Sequence, residues 1–121
     1  MILTTKIVKG KQLGRTLGFP TANLSLSQSD LNKLETGVFA GKIQIEDDPK
    51  IYKTAVSVGQ NSTFGELQTT VEAYILDFDQ DIYSKTVTLE FLFKIREMRK
   101  FESVEELIEA IKGDVEMVKK I

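Results

Sequence analysis

Residues 14–23 read GRTLGFPTAN, with Gly10 just upstream. These residue types suit phosphate and a hard metal ion. Glycine lets a backbone approach a phosphate closely, which suits Gly10 and Gly14, and Arg15 supplies positive charge. In an extended segment Thr21 and Asn23 point the same way and offer a hydroxyl and an amide carbonyl. Mg2+ takes such oxygen ligands and relies on substrate phosphates for charge. Two neutral donors therefore suit a metal that arrives already bound to a nucleotide. The same run would also serve as a glycine-rich turn with no ligand. The usual phosphate loop does not fit: GKQLGRT (10–16) is one residue short between its glycines and has Arg for Lys. That loop must also open a helix, whereas Gly18 and Pro20 oppose one and Phe19 before Pro20 is pushed toward an extended conformation.

Two further groups have chemistry to offer. Glu72 lies mid-strand in VEAYIL among apolar residues. It is either a solvated glutamate or a carboxylate aimed into a cleft, where it could accept a hydroxyl proton. In IREMRKF (95–101), Arg96, Arg99 and Lys100 either solvate a loop or, with Phe101, hold a flat anionic or aromatic ligand. The EDD run at 46–48 reads as a solvated turn.

Composition narrows the chemistry. The 121 residues contain no histidine and no cysteine, which removes imidazole bases, thiolate metal sites and disulfides. Catalysis must rest on carboxylates, hydroxyls, amides, Lys, Arg, Tyr or a hard metal. A formal net charge of −2 gives none of the basic excess of a nucleic-acid binder. No apolar run is long enough for a membrane helix. MILTTKIVKG lacks the features of a secretory signal, so a cytoplasmic location is the expectation.

Alternating stretches must position these groups. In TVTLEFLFK (86–94), Val87, Leu89, Phe91 and Phe93 share one face. GVFAGKIQI (37–45), YKTAVSV (52–58), TTVEAYIL (69–76) and LTTKIV (3–8) also read as strands, and GFPTANL adds a short sixth. EDDPK, GQNSTFGE and DFDQD punctuate the gaps. The spacing predicts a small antiparallel β barrel or sandwich. LSQSDLNKL (26–34) reads as a loop with a helical turn. From Ser103 onward Val104, Leu107, Ile108, Ile111, Val115 and Val118 recur at helical spacing, and Ser103 with Glu106 forms a capping box. Gly113 invites a kink or break.

GRTLGFPTAN closely resembles the signature of ATP-dependent riboflavin kinases, including the kinase module of bacterial bifunctional riboflavin kinase/FAD synthetases. The resemblance continues through TGVFAG, VSVGQNSTF, VEAYILDFDQDIYS, IREMRKFESVEEL and IKGD, nearly the whole chain in family order. It implies one riboflavin kinase domain over residues 1–121, a six-stranded antiparallel Greek-key barrel with a C-terminal helix packed on it. It also implies transfer of the ATP γ-phosphate to the ribityl 5′-hydroxyl of riboflavin, giving FMN. Glu72 matches the catalytic glutamate, and Thr21 and Asn23 match the Mg2+ ligands. Gly10, Gly14, Arg15, Ile75, Asp77 and Tyr83 fall on the nucleotide side, and Arg96, Arg99 and Phe101 on the flavin side.

Two positions depart from the family. Ser62 stands where Pro is usual, and Ser84 where Gly is usual; the latter requires a different backbone angle or a tolerant site. They leave open a different class of function, a non-catalytic flavin-binding regulatory module. The expected partners are the small molecules riboflavin and ATP, with no nucleic acid and no membrane, and a monomer is expected. The first strand begins near Met1 and the chain lacks the histidine of a nucleotidyltransferase signature, so FAD synthesis is expected to require a separate protein.

Overall fold

The computed structural model describes the backbone of residues 1–8, 18–63 and 66–121, with side chains for all of these except 61–63 and 66–68. The order is β1 (Ile2–Val8), β2 (Ala22–Ser25), a helical turn α1 (Gln28–Leu31), β3 (Gly37–Ile45), β4 (Ile51–Thr63), β5 (Glu66–Ile75), β6 (Thr86–Arg96) and α2 (Val104–Lys119). The strands close into a barrel in the order β1-β2-β5-β4-β3-β6, every pair antiparallel. β3, β4 and β5 run as a meander and β6 returns beside β3, the Greek-key arrangement. Closure gives each strand two neighbours, which removes sheet edges.

Period-two alternation separates two apolar layers. Ile7, Leu24, Ile43, Val56, Val71, Ala73, Ile75, Val87 and Leu89 fill the barrel. Ala40, Ala55 and Leu76 lie on its outer face beneath Val118 of α2, with Tyr74, Ile95, Val115 and Ile121 around them. On β5 this puts Val71, Ala73 and Ile75 inside and leaves Tyr74 and Glu72 on the outer face, the face that α2 covers further along.

Three local expectations are corrected. Phe93 does not share the inward face of Val87, Leu89 and Phe91; it is 41% exposed. The reason is a bulge: Ala40 pairs with Phe93 and Gly41 with Phe91, so Leu92 is an extra residue and the side-chain phase flips beyond it. Gly41 allows the close approach here, because a Cβ would lie 2.6 Å from the carbonyl oxygen of Glu90. Next, most of GQNSTFGE is strand rather than turn: β4 and β5 stay paired from Gly59 with Thr70 out to Thr63 with Glu66. Backbone pairing carries the hairpin past its polar residues. Last, α2 runs through Gly113 unbroken. Asp114, Val115 and Val118 hold it to the barrel, which outweighs the roughly 1 kcal/mol cost of one helical glycine.

The N-terminus of α2 is capped as expected, with a variation. The Ser103 hydroxyl accepts from Glu106 N at 3.2 Å. The Glu106 carboxylate reaches one residue further back and accepts from Glu102 N at 3.0 Å. At Ser84 the backbone takes the left-handed conformation, φ 69°. Its N–H donates to the carbonyl of Ile7 at 2.9 Å, so the turn before β6 keeps a glycine-like geometry despite the side chain. The backbone at Ser62 lies within β4 opposite Leu67.

Candidate active site

Two clefts of about 400 Å3 each meet at one hydrogen bond. The first opens at the end of the barrel between β1, β2, the end of β5 and the segment before β6. Thr21, Asn23, Ile75, Ile82, Asp79 and Tyr83 are among its walls. The second lies on the outer face, where Ser57, Gly59 and Glu72 of β4 and β5 face Met98, Arg99 and Lys100. Both volumes are within the range usual for small-molecule sites. Between them the Thr21 hydroxyl donates to the Glu72 carboxylate at 2.9 Å. Strand pairing fixes this junction, with Asn23 opposite Glu72 on one side and Ser57 opposite it on the other.

Glu72 is half-buried. Its carboxylate is oriented by Thr21 and open toward the second cleft, the arrangement needed to accept a proton from a bound hydroxyl. Beside it Thr21, just before β2, and Asn23 within it present a hydroxyl and an amide oxygen. These are two neutral oxygen donors, and they fit Mg2+ that brings nucleotide phosphates as further ligands. Among the described residues no group of three or more His, Cys, Asp or Glu forms a metal cluster.

The other expected site residues divide. Ile75 and Tyr83 line the first cleft. Asp77 is exposed at the turn after β5, with φ 55°, and is not among that cleft's walls. Gly10, Gly14 and Arg15 lie outside the described residues. Arg99 lines the second cleft and its guanidinium sits 4.7 Å from the centre of the Phe101 ring. Arg96 does not line either cleft. Its Nε and Nη2 donate to the two carboxylate oxygens of Asp114 at 2.8 and 2.9 Å, and it also stacks on Phe101 at 5.6 Å.

Asp114, which none of the motifs includes as a site residue, carries a signal in the sequence. It lies three residues after Ile111 and four before Val118, an acid on the apolar stripe of a helix. A charge there must find a partner. Met98, by contrast, carries no cue in its type or loop position.

A closed six-stranded antiparallel barrel with a helix packed on its outer face is the fold of the flavokinases. The chain is a member of the riboflavin kinase family, whose sequence profile, described as "Flavokinase: Riboflavin kinase", matches residues 1–121. It is 38% identical over 120 residues to the RNA-binding riboflavin kinase RibR of Bacillus subtilis, covering 98% of this chain and 50% of that protein. It is 30% identical over 119 residues to the riboflavin kinase of Mus musculus, covering 95% of this chain and 76% of the mouse protein. The crystal structure of riboflavin kinase from Trypanosoma brucei superposes with a TM-score of 0.73 at 31% identity, over 98% of this chain and 74% of that one. The chain thus spans half the length of RibR. Among the described residues no helix is long and apolar enough to cross a membrane.

Proposed function

We propose that this chain transfers the γ-phosphate of ATP to the ribityl 5′-hydroxyl of riboflavin, giving FMN and ADP. The observation that carries the proposal is the Thr21–Glu72 hydrogen bond at the junction of the two clefts. The first cleft, with its oxygen donors and the apolar Ile75, Ile82 and Tyr83, takes the nucleotide. The second, walled by Met98 and Arg99, takes the flavin, which places its ribityl chain toward Glu72. Glu72 accepts the proton of the 5′-hydroxyl as the oxygen–phosphorus bond forms and the bond from the γ-phosphorus to the β,γ-bridging oxygen breaks. Thr21 holds the carboxylate in place. Phosphoryl transfer asks mainly for positioning and charge neutralisation, which two adjoining clefts supply. Bound Mg2+ neutralises phosphate charge; Thr21 and Asn23 would hold it.

A monomer acting on two small molecules in the cytoplasm, without nucleic acid, completes the proposal. The test is incubation of purified protein with riboflavin, ATP and Mg2+, with FMN followed by chromatography. Protein-dependent FMN is expected. Riboflavin binding without FMN formation would replace the kinase with a flavin-binding module.

A further inference from the structure

We propose that Asp114, on α2 and outside both clefts, is a positioning residue that sets the wall of the second cleft through Arg96. The proposal rests on the flavin assignment of that cleft and goes beyond it by naming what holds the wall.

Asp114 is buried, 5% exposed, and both its oxygens are taken by Arg96. This planar two-bond geometry is the strongest and most directional form of ion pair. Arg96 is the last residue of β6, so the pair clamps α2 to the point where the chain leaves the barrel. From there the chain runs directly into the cleft wall at Met98, Arg99 and Lys100. The Arg96 guanidinium also donates to the carbonyl of Glu97 at 3.3 Å and packs on the Phe101 ring. Arg99 packs on the same ring. Residues 96–101 are thus tied at both ends to one guanidinium, and that guanidinium is held by Asp114. Lys94 bonds Glu97 at 2.7 Å, but Glu97 is exposed, and such pairs contribute little. It reaches residue 97 and not the wall beyond it.

Removing one partner of a buried pair leaves the other charge uncompensated, so Arg96 must turn toward solvent and release Phe101 and Glu97. A gap of about 0.5–1 Å already forfeits a quarter to a half of each van der Waals contact between the wall and a bound ring. Because the wall and not the carboxylate is displaced, the loss is expected in riboflavin binding and not in ATP use.

The experiment compares Asp114→Asn, Arg96→Lys and, as a control that loosens α2 without touching the pair, Val118→Ala. Riboflavin affinity is read by quenching of its fluorescence in the presence of Mg2+ and ADP, alongside KM for each substrate and hydrogen exchange of the ligand-free protein. Asp114→Asn and Arg96→Lys are expected to raise the riboflavin Kd and KM about tenfold, to leave KM for ATP within twofold, and to speed exchange at 98–101. Val118→Ala is expected to lower Tm with the riboflavin Kd unchanged. If Asp114→Asn does not fold, Arg96→Lys decides, since it keeps a cation opposite Asp114 while losing the fork and the ring contact. Equal weakening of riboflavin binding in Val118→Ala, or normal binding in both pair variants, would overturn the proposal. FMN formation by the unmodified protein tests the kinase assignment separately, and the exchange rates report the clamp whatever the cleft binds.

Discussion

Glu72→Gln separates proton transfer from everything else Glu72 does. The side chain keeps its length, and its amide oxygen still accepts from the Thr21 hydroxyl, which stands 2.9 Å from the carboxylate. Glu72 is only half-buried, so the neutral amide creates no buried orphan, and Tm is expected to shift by no more than about 2 °C, as for a mild surface substitution. What is lost is the capacity to hold a proton. Removal of a general base costs roughly 10²–10⁴ in rate, which is about 2.7–5.4 kcal/mol of barrier at about 1.36 kcal/mol per decade. The loss should fall on kcat, because the substitution leaves the walls of both clefts in place. The assay is initial FMN formation at saturating riboflavin and Mg-ATP, with riboflavin affinity measured in parallel. Turnover within threefold of the unmodified protein would remove Glu72 from the chemistry. A comparable loss caused by failed riboflavin binding would make it a binding residue instead.

Thr21→Val and Asn23→Leu preserve shape and delete the oxygen donors; the Mg2+ concentration for half-maximal activity is expected to rise about tenfold or more, and an unchanged Mg2+ titration would return these residues to a structural turn. Ser84→Gly should stabilise the fold by about 0.5 kcal/mol, since relief of a left-handed side-chain conformation slightly exceeds the added entropy of the unfolded glycine; a lower urea midpoint would contradict this. Asp48 is held below the ordinary carboxylate value of 3.8 by the Lys50 backbone N–H and the Tyr52 hydroxyl. A depressed folded pKa means its contribution is complete above 3.8 and is lost as pH falls through the folded value, so the Tm gap between the unmodified protein and Asp48→Asn should narrow in acid below about pH 3.8; a constant gap would show that the carboxylate's charge contributes nothing.

The barrel was legible because its strands report themselves locally. The alternation in GVFAGKIQI marks a strand over 37–45, and β3 occupies Gly37–Ile45. The long hairpin was not legible, because polar residues such as Gln60 and Asn61 hold their strand conformation by pairing with Thr69 and Gln68 and not by any apolar pattern. Phe93 failed for a related reason. A bulge is set by the register between β3 and β6, and no period within TVTLEFLFK encodes an extra residue.

The candidate site divides along the same line. Thr21 and Glu72 each carried a chemical cue, yet their contact spans 51 residues of sequence and exists only because β2 pairs with β5. Arg96 shows the limit most clearly. Beside Arg99 and Lys100 in IREMRKF it reads as one of three similar cations, and motif resemblance assigns it with Arg99 to the flavin side. Their environments differ: Arg99 faces the cleft, while Arg96 turns to a carboxylate 18 residues away. The only sequence trace of that division is on the other partner, an aspartate where the helix stripe calls for an apolar residue. A buried acid without a partner is costly enough that Asp114 demands a cation. Arg96 is the cation the fold supplies, through the chain's exit from β6 beside α2. The loop's chemistry was therefore readable from its own residues, whereas its anchoring was readable only from a misfit in the helix that follows.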